Sequence, residues 1–458
     1  MKLRQSSRLI FKTARHARHI TAERGGDSFG NSRVIYIFLF LLGVAVATQL
    51  NRGIYRLAWF ARPIGPWSAP HEEALSRNWS DRIPILGWFG LRRESSIHGR
   101  GFWIRPMLLE VATGICFAAL YWHEVGRYVA GQPLPPLATI SILQAAYLSH
   151  IILFSLMLVA TFIDFDEQTI PDAITVPGTI IGLTLAAALP TTREIVVVGR
   201  PPAAEFLSVV SGVMRDRPWN AFLATETSLL IGLACFVGWC IAVVPWLWTT
   251  RRGLGKAFLY FAASFRRRLS IGMVLTAIVG SMTIVLVWRF GNPAVVGPGN
   301  RWESLFTALV GMAAGGGLIW AVRIVGSHAL GQEAMGFGDV TLMAMIGAFL
   351  GWQSTLIIFF LAPFAALLIS VSQWLLTRRR DIAFGPYLCA GACYLVVDWD
   401  NMWNRARPIF ELGLFVPGVL AVGLALMGIL LMGMRWLRET FLGGYEAVEE
   451  SPSGEDSK

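Results

Sequence analysis

The sequence predicts an all-α protein, a polytopic transmembrane bundle of about ten spans with a small cytoplasmic loop domain after the first span. Three observations carry this reading. The 458 residues are 55% hydrophobic and only 15% charged, with a mean hydropathy of +0.55, a balance foreign to soluble domains of this length. Apolar stretches recur at lengths near the roughly 20 residues that carry a helix across about 30 Å of hydrocarbon. Helices fit such stretches because each satisfies its own backbone polar groups in lipid.

In chain order, the spans centre on residues 34 to 50, 107 to 122, 138 to 162, 174 to 189, 228 to 248, 270 to 288, 303 to 325, 340 to 376 (long enough for two), 384 to 397 and 412 to 435. Residues 1 to 33 are basic and polar, so the first apolar run reads as a retained anchor rather than an excised signal. Residues 34 to 106 hold the first span and the loop domain. Residues 107 to 435 form the membrane domain, with a mixed loop at 190 to 226 and an insertion at about 191 to 302 that adds two spans and a basic loop. Residues 436 to 458 are a polar tail with the composition of a disordered segment. Cys116, Cys235, Cys240, Cys389 and Cys393 all fall in apolar stretches without CxxC spacing, which predicts structural burial and no metal or redox site.

The net charge of +10 resides in short loops between spans, where membrane orientation explains it better than nucleic-acid binding. Residues 51 to 106 carry nine Lys or Arg, residues 251 to 268 carry six, and Arg378, Arg379 and Arg380 follow. These loops are predicted to be cytoplasmic. Two crossings then separate residue 106 from Asp164, and four separate Asp164 from Asp339, so both aspartates emerge on the cytoplasmic side. The eight Lys or Arg of residues 1 to 33 run against this topology. A start codon called too early or a segment lying on the membrane surface would each account for them, and residues 8 to 15 are mildly amphipathic.

An aspartate at membrane depth costs roughly 2.5 to 3.5 kcal/mol on insertion scales, so Asp residues beside apolar spans are functional candidates. Asp164 closes one long apolar run before Pro171 and Asp172 open the next. Asp339 follows Gly336 and Gly338 at the start of another. Peptide hydrolysis without a metal or nucleophilic side chain needs two carboxylates, one ionised to take a proton from water and one protonated to polarise the carbonyl. Two Asp groups sharing a site divide in this way because like charges resist a second ionisation. Glycines beside the acid permit positive φ and close approach of an extended substrate. Taken singly, Asp339 reads as an N-cap and Asp164 with Asp166 as an interface marker; their combination with the surrounding residues favours chemistry.

Those residues resemble the type IV prepilin leader peptidase family, a group of GxGD-type intramembrane aspartic peptidases. The resemblance rests on Ile163-Asp164, Ile170-Pro171-Asp172, Ile174-Thr175-Val176-Pro177-Gly178 and Gly336-Phe337-Gly338-Asp339. Residues 51 to 57, 81 to 88 continuing through 105 to 114, and 383 to 388 agree in the same order, so the likeness covers roughly 43 to 190 and 303 to 400. It implies that Asp164 and Asp339 are the catalytic pair, with Gly336 and Gly338 as backbone support and Asp172 a turn or cap residue. It further implies removal of basic leader peptides from type IV pilin and type II secretion pseudopilin precursors at the cytoplasmic face of the bacterial inner membrane, with no cofactor for the peptidase step.

Departures from the family pattern matter equally. Many members carry a four-cysteine zinc knuckle in the first loop, in the part linked to N-methylation of the new N-terminus. Pro70, Glu73, Ser95 and His98 stand there instead, which argues against zinc and weighs against methylation, the one step that would call for S-adenosylmethionine. His71 and His98 read as surface histidines. Thr341 replaces a common Lys. Glu110, near a span entrance, reads as pairing with an Arg rather than orienting a ligand. Trp79, Trp88 and Trp103 read as interfacial belt residues. Two rival classes remain, a transporter with carboxylate ion sites and a catalytically silent relative acting in assembly.

Overall fold

The computed structural model describes residues 33–60, 62, 64–130, 132, 140–189, 196–198, 205–207, 223–244, 271–291, 301–377, 383–410, 412 and 415–441. The N-terminal segment, the basic loop at 251 to 268, Arg378 to Arg380, most of the loop at 190 to 226 and the polar tail lie outside the described residues. The chain divides into two compact units, residues 1–56 with 60–134, and residues 57–59 with 135–458.

The first unit is built on two long helices, α1 (Arg33–Leu57) and α3 (Ile104–Val129), joined by a loop that contains the short helix α2 (Leu86–Gly90). The two long helices approach closely because glycines meet: a Cβ on Gly43 would lie 2.9 Å from the Gly114 Cα. Glu110 is fully buried and gathers three segments. It accepts hydrogen bonds from the Ile85 N–H (2.5 Å), Trp88 Nε1 (3.0 Å) and Asn51 Nδ2 (3.4 Å). Neutral donors thus hold the carboxylate, where the sequence suggested an arginine. Asn51 also donates to the Pro106 carbonyl (3.0 Å). Ile85 adopts φ +66°, a strained conformation for a β-branched residue, and its bond to Glu110 helps to keep it there.

Farther along the loop, Asp81 is buried and receives both Arg93 nitrogens at 2.9 and 2.5 Å. The hydrogen bonds from Arg93, then the Asn78 N–H and the nearby positive charges, outweigh burial and hold its carboxyl below the ordinary carboxylate range. Glu94 pairs with Arg77 and lies 3.6 Å from His98. The tryptophans divide: Trp88 is buried against Glu110, whereas Trp79 is 79% exposed.

The second unit is a helical bundle of α4 (Ile140–Glu167), α5 (Asp172–Ala188), α6 (Glu226–Val243), α7 (Ile271–Phe290), α8 (Arg301–Leu330), α9 (Phe337–Leu350), α10 (Trp352–Thr377), α11 (Gly385–Val397), α12 (Trp399–Phe410) and α13 (Phe415–Phe441). Each predicted span has its helix, and the stretch at 340 to 376 does divide in two, at Gly351 with φ +86°. Seven described helices of the whole chain are long and apolar enough to cross a membrane; α5, α9, α11 and an apolar part of α10 are shorter.

Two elements were not anticipated. A small antiparallel pair, β1 (Val196–Val198) with β2 (Glu205–Leu207), lies in the mixed loop. Helix α12 is amphipathic, and its aromatic face packs as Trp399, Trp403 and Phe410 in a stack that Trp352 meets edge-on. The core of the unit is the α8–α9 crossing. Gly311 faces Gly347 and Gly351, and Gly315 faces Met343 and Thr355, so closely that a Cβ on Gly311 would fall 2.2 Å from the Gly347 carbonyl oxygen. The cysteines are free, but only Cys389 is fully buried and Cys116 is exposed. This corrects the expected burial of all five: Cys116 occupies an outward face of α3, where an apolar thiol suits a lipid-facing helix.

Candidate active site

Helix α4 ends through Gln168, whose left-handed φ of +54° and N–H bond to the Asp164 carbonyl (2.9 Å) turn the chain sharply. Asp164 lies in the last turn before that stop, 5% exposed, while Asp166 points outward. The turn carries Ile170 into the interior and delivers Pro171 as the N-cap of α5. On the other side, Gly336 is the N-cap of α9, and Asp339 is the third residue of the helix, 8% exposed. Asp339 is therefore not the cap that its sequence position suggested; it faces inward from the first turn.

Although α5, α6, α7 and α8 intervene in sequence, Asp164 and Asp339 lie near enough for their charges to interact directly. Even parity of the intervening helices brings both acids to one end of the unit, as the count of crossings had suggested. A third element closes the arrangement. The backbone N–H of Gly385, at the start of α11, is directed at the Asp164 carboxylate, and a Cβ there would lie 2.7 Å from Asp164 Oδ2 and 2.6 Å from Ile170 Cδ1. The remaining face of Asp164 is open for hydrogen bonding, since its buried Oδ2 has no partner among the described residues.

The two motif glycines play different parts. A Cβ on Gly338 would lie 2.8 Å from the Ile170 Cβ and 3.0 Å from its carbonyl oxygen, so this glycine permits close packing of the α4–α5 turn on α9. Gly336 has φ −67° and nothing nearer than 3.8 Å to its missing Cβ. Neither shows the positive φ that the sequence suggested. Asp172 is the first residue of α5, after the N-cap Pro171, and forms a side-chain hydrogen bond with Thr341. Gly385 and Ile170 are contributors that sequence reasoning quoted within motifs without assigning them a part; the Gly-Pro step opening an apolar helix was the available signal. Arg323 ties down the approach to α9, donating to the Met335 carbonyl (2.8 Å) and to Glu333 (2.6 Å).

The chain is similar in sequence to known proteins. The model of the Type IV leader peptidase family matches residues 264–371. Proteins described as "Prepilin leader peptidase/N-methyltransferase" are similar over part of the chain. That of Pectobacterium carotovorum subsp. carotovorum is 31% identical over 126 residues, 26% of this chain and 44% of the relative. That of Myxococcus xanthus (strain DK1622) is 30% identical over 153 residues, 33% and 41% of the two chains. That of Escherichia coli (strain K12) is 32% identical over 141 residues, 30% and 60% respectively.

The chain is thus similar, over part of its length, to the type IV leader peptidase family. It spans about half the length of the curated relatives it matches, and no solved structure matches it. The family match holds Asp339 but not Asp164, and it begins inside the stretch that the sequence suggested is an insertion.

Leader peptidases with a zinc knuckle would hold the metal in the first loop. Here the residues in those places do not fit that group. Ser95 Oγ donates to the Arg92 carbonyl at 2.6 Å, and the His98 ring packs 5.1 Å from that of Phe102. No thiolate is among them, and the described residues contain no group of three or more candidate ligands.

Proposed function

We propose that this leader peptidase relative is a membrane-embedded aspartic endopeptidase that removes the basic leader from type IV prepilin or pseudopilin precursors, with Asp164 and Asp339 as its two acids. The observation that carries the reading is the meeting of these two buried carboxylates from α4 and α9, under a backbone N–H from Gly385. One carboxylate, ionised, takes a proton from the attacking water; the other, protonated, donates to the scissile carbonyl and later to the leaving amine. The unpartnered Asp164 Oδ2 is the acceptor best suited to water. A precursor whose mature part begins as an apolar helix would keep that helix in the bilayer and offer its leader junction at the helix ends.

Position argues against a transporter. Ion sites of transporters gather near the midplane at broken helices, whereas these acids occupy the last turn of α4 and the first turn of α9. Basic loops support a cytoplasmic site in the bacterial inner membrane. Cleavage without methylation is the favoured form, because the first loop lacks the cysteines associated with the second activity.

The test is cleavage of a prepilin-like substrate in membranes, followed by mass, for wild type, Asp164→Asn and Asp339→Asn. Loss of cleavage in each variant supports the pair, and an added mass of about 14 Da, one methylene, on the product would reveal methylation. Cleavage surviving both substitutions refutes the assignment. Absence of cleavage by wild type transfers weight to a silent relative.

A further inference from the structure

Thr341 stands two residues beyond Asp339 and is buried, as is Thr175 on the facing helix α5. Thr175 Oγ1 donates to Thr341 Oγ1 at 2.9 Å. That bond uses one lone pair of Thr341 and leaves its single hydroxyl proton to go elsewhere. Two acceptors compete for it: the carbonyl of Gly338, at 3.1 Å, and the carboxylate of Asp172, with which Thr341 forms a side-chain hydrogen bond. Gly338 immediately precedes Asp339, and its Cα packs on Ile170, two residues before Asp172. The network therefore closes a ring through three sequence motifs without touching either carboxylate of the candidate pair.

We infer that Thr341 is a positioning residue, which fixes the Gly338 carbonyl and so the aim of Asp339 by joining it to Thr175 and Asp172. The inference rests on the peptidase reading for its kinetic consequence, but its structural content is independent. A bond of this kind does more at this place than join two helices. The first turn of α9 has no side-chain cap on Gly336, so the Gly338 carbonyl is the nearest point to Asp339 at which a side chain restrains the backbone.

The experiment compares Thr341→Val, which keeps shape and removes the hydroxyl, with Thr341→Ser, which restores it, in full-length protein in lipid nanodiscs. Two readouts are taken. In prepilin cleavage, kcat per folded molecule is expected to fall about tenfold in Thr341→Val, the effect of losing about 1.4 kcal/mol. KM should stay constant and Thr341→Ser should recover most of the rate. In hydrogen exchange, amides of residues 336–340 are expected to exchange faster in Thr341→Val and to return in Thr341→Ser. A purely structural contact would lower thermal stability while leaving kcat per folded molecule unchanged, and that result overturns the proposal. If wild type cleaves no prepilin, the peptidase reading fails on its own, and unchanged exchange at 336–340 would still overturn the role given to Thr341.

Discussion

Replacing Glu110 by Gln should loosen the first loop far more than a one-atom change suggests. The carboxylate accepts from three donors, two of them on Oε1 and one on Oε2. An amide has only one oxygen, so in either orientation its NH2 group confronts a donor. If the amide nitrogen takes the Oε2 place it faces the Ile85 N–H at a site 2.5 Å away. If it takes the Oε1 place, Trp88 loses its acceptor, while Asn51 can rotate its own amide to compensate. Hydrogen bonds to a charged group contribute about 1.5 to 3 kcal/mol each and neutral ones about 0.5 to 1.5. Losing one and weakening another removes roughly 3 to 4 kcal/mol, from which the easier burial of a neutral amide recovers about a third, for a net loss of about 2 to 3 kcal/mol. Release of the strained Ile85, which stores on the order of 1 to 3 kcal/mol, favours the same opening. The assay is native-state proteolysis of the loop in nanodiscs under conditions where opening is fast compared with cleavage. The rate should rise roughly 30- to 150-fold, since each 1.4 kcal/mol is tenfold in the open population. A rate within threefold of wild type would show that Glu110 does not hold the loop together.

Three further outcomes are expected. Gly385→Ala places a methyl 2.7 Å from Asp164 Oδ2 and should reduce cleavage by more than about tenfold, with a stability loss of about 1 to 3 kcal/mol; activity like that of wild type would remove α11 from the site. Gly311→Ala should lower the unfolding midpoint markedly, by a contact 2.2 Å from the Gly347 carbonyl oxygen, whereas Gly317→Ala, with open space around it, should not; equal midpoints would contradict the tight α8–α9 crossing. The Asp81 carboxyl is held below its unfolded value chiefly by Arg93, so its contribution to stability is complete above the unfolded pKa of about 3.9 and disappears as pH falls below it. Protease resistance of the loop should therefore decline below about pH 4 in wild type, and Arg93→Gln should flatten that part of the profile.

The succession of helices was legible in the sequence because the bilayer imposes a length and a composition that few other environments demand. Every predicted span has a helix, and counting crossings placed Asp164 and Asp339 on one side before any contact between them was known. The order of the motifs likewise pointed to the family whose model matches residues 264–371. Residue type in context marked both acids, since an aspartate beside an apolar run requires a reason.

What the tertiary structure alone decided is which groups surround those acids. Nothing local distinguishes Asp164 from Asp166, two positions away; burial does, because the turn at Gln168 sends one inward and the other out. Gly338 and Gly385 need to be glycine because Ile170 and Asp164, remote in sequence, occupy the space of a side chain. Glu110 found Asn51, Ile85 and Trp88 instead of an arginine, and Thr341 found Thr175. Hydrophobic length is a property of one segment and can be read along it, but a hydrogen-bond partner belongs to another segment, and only packing brings the two together.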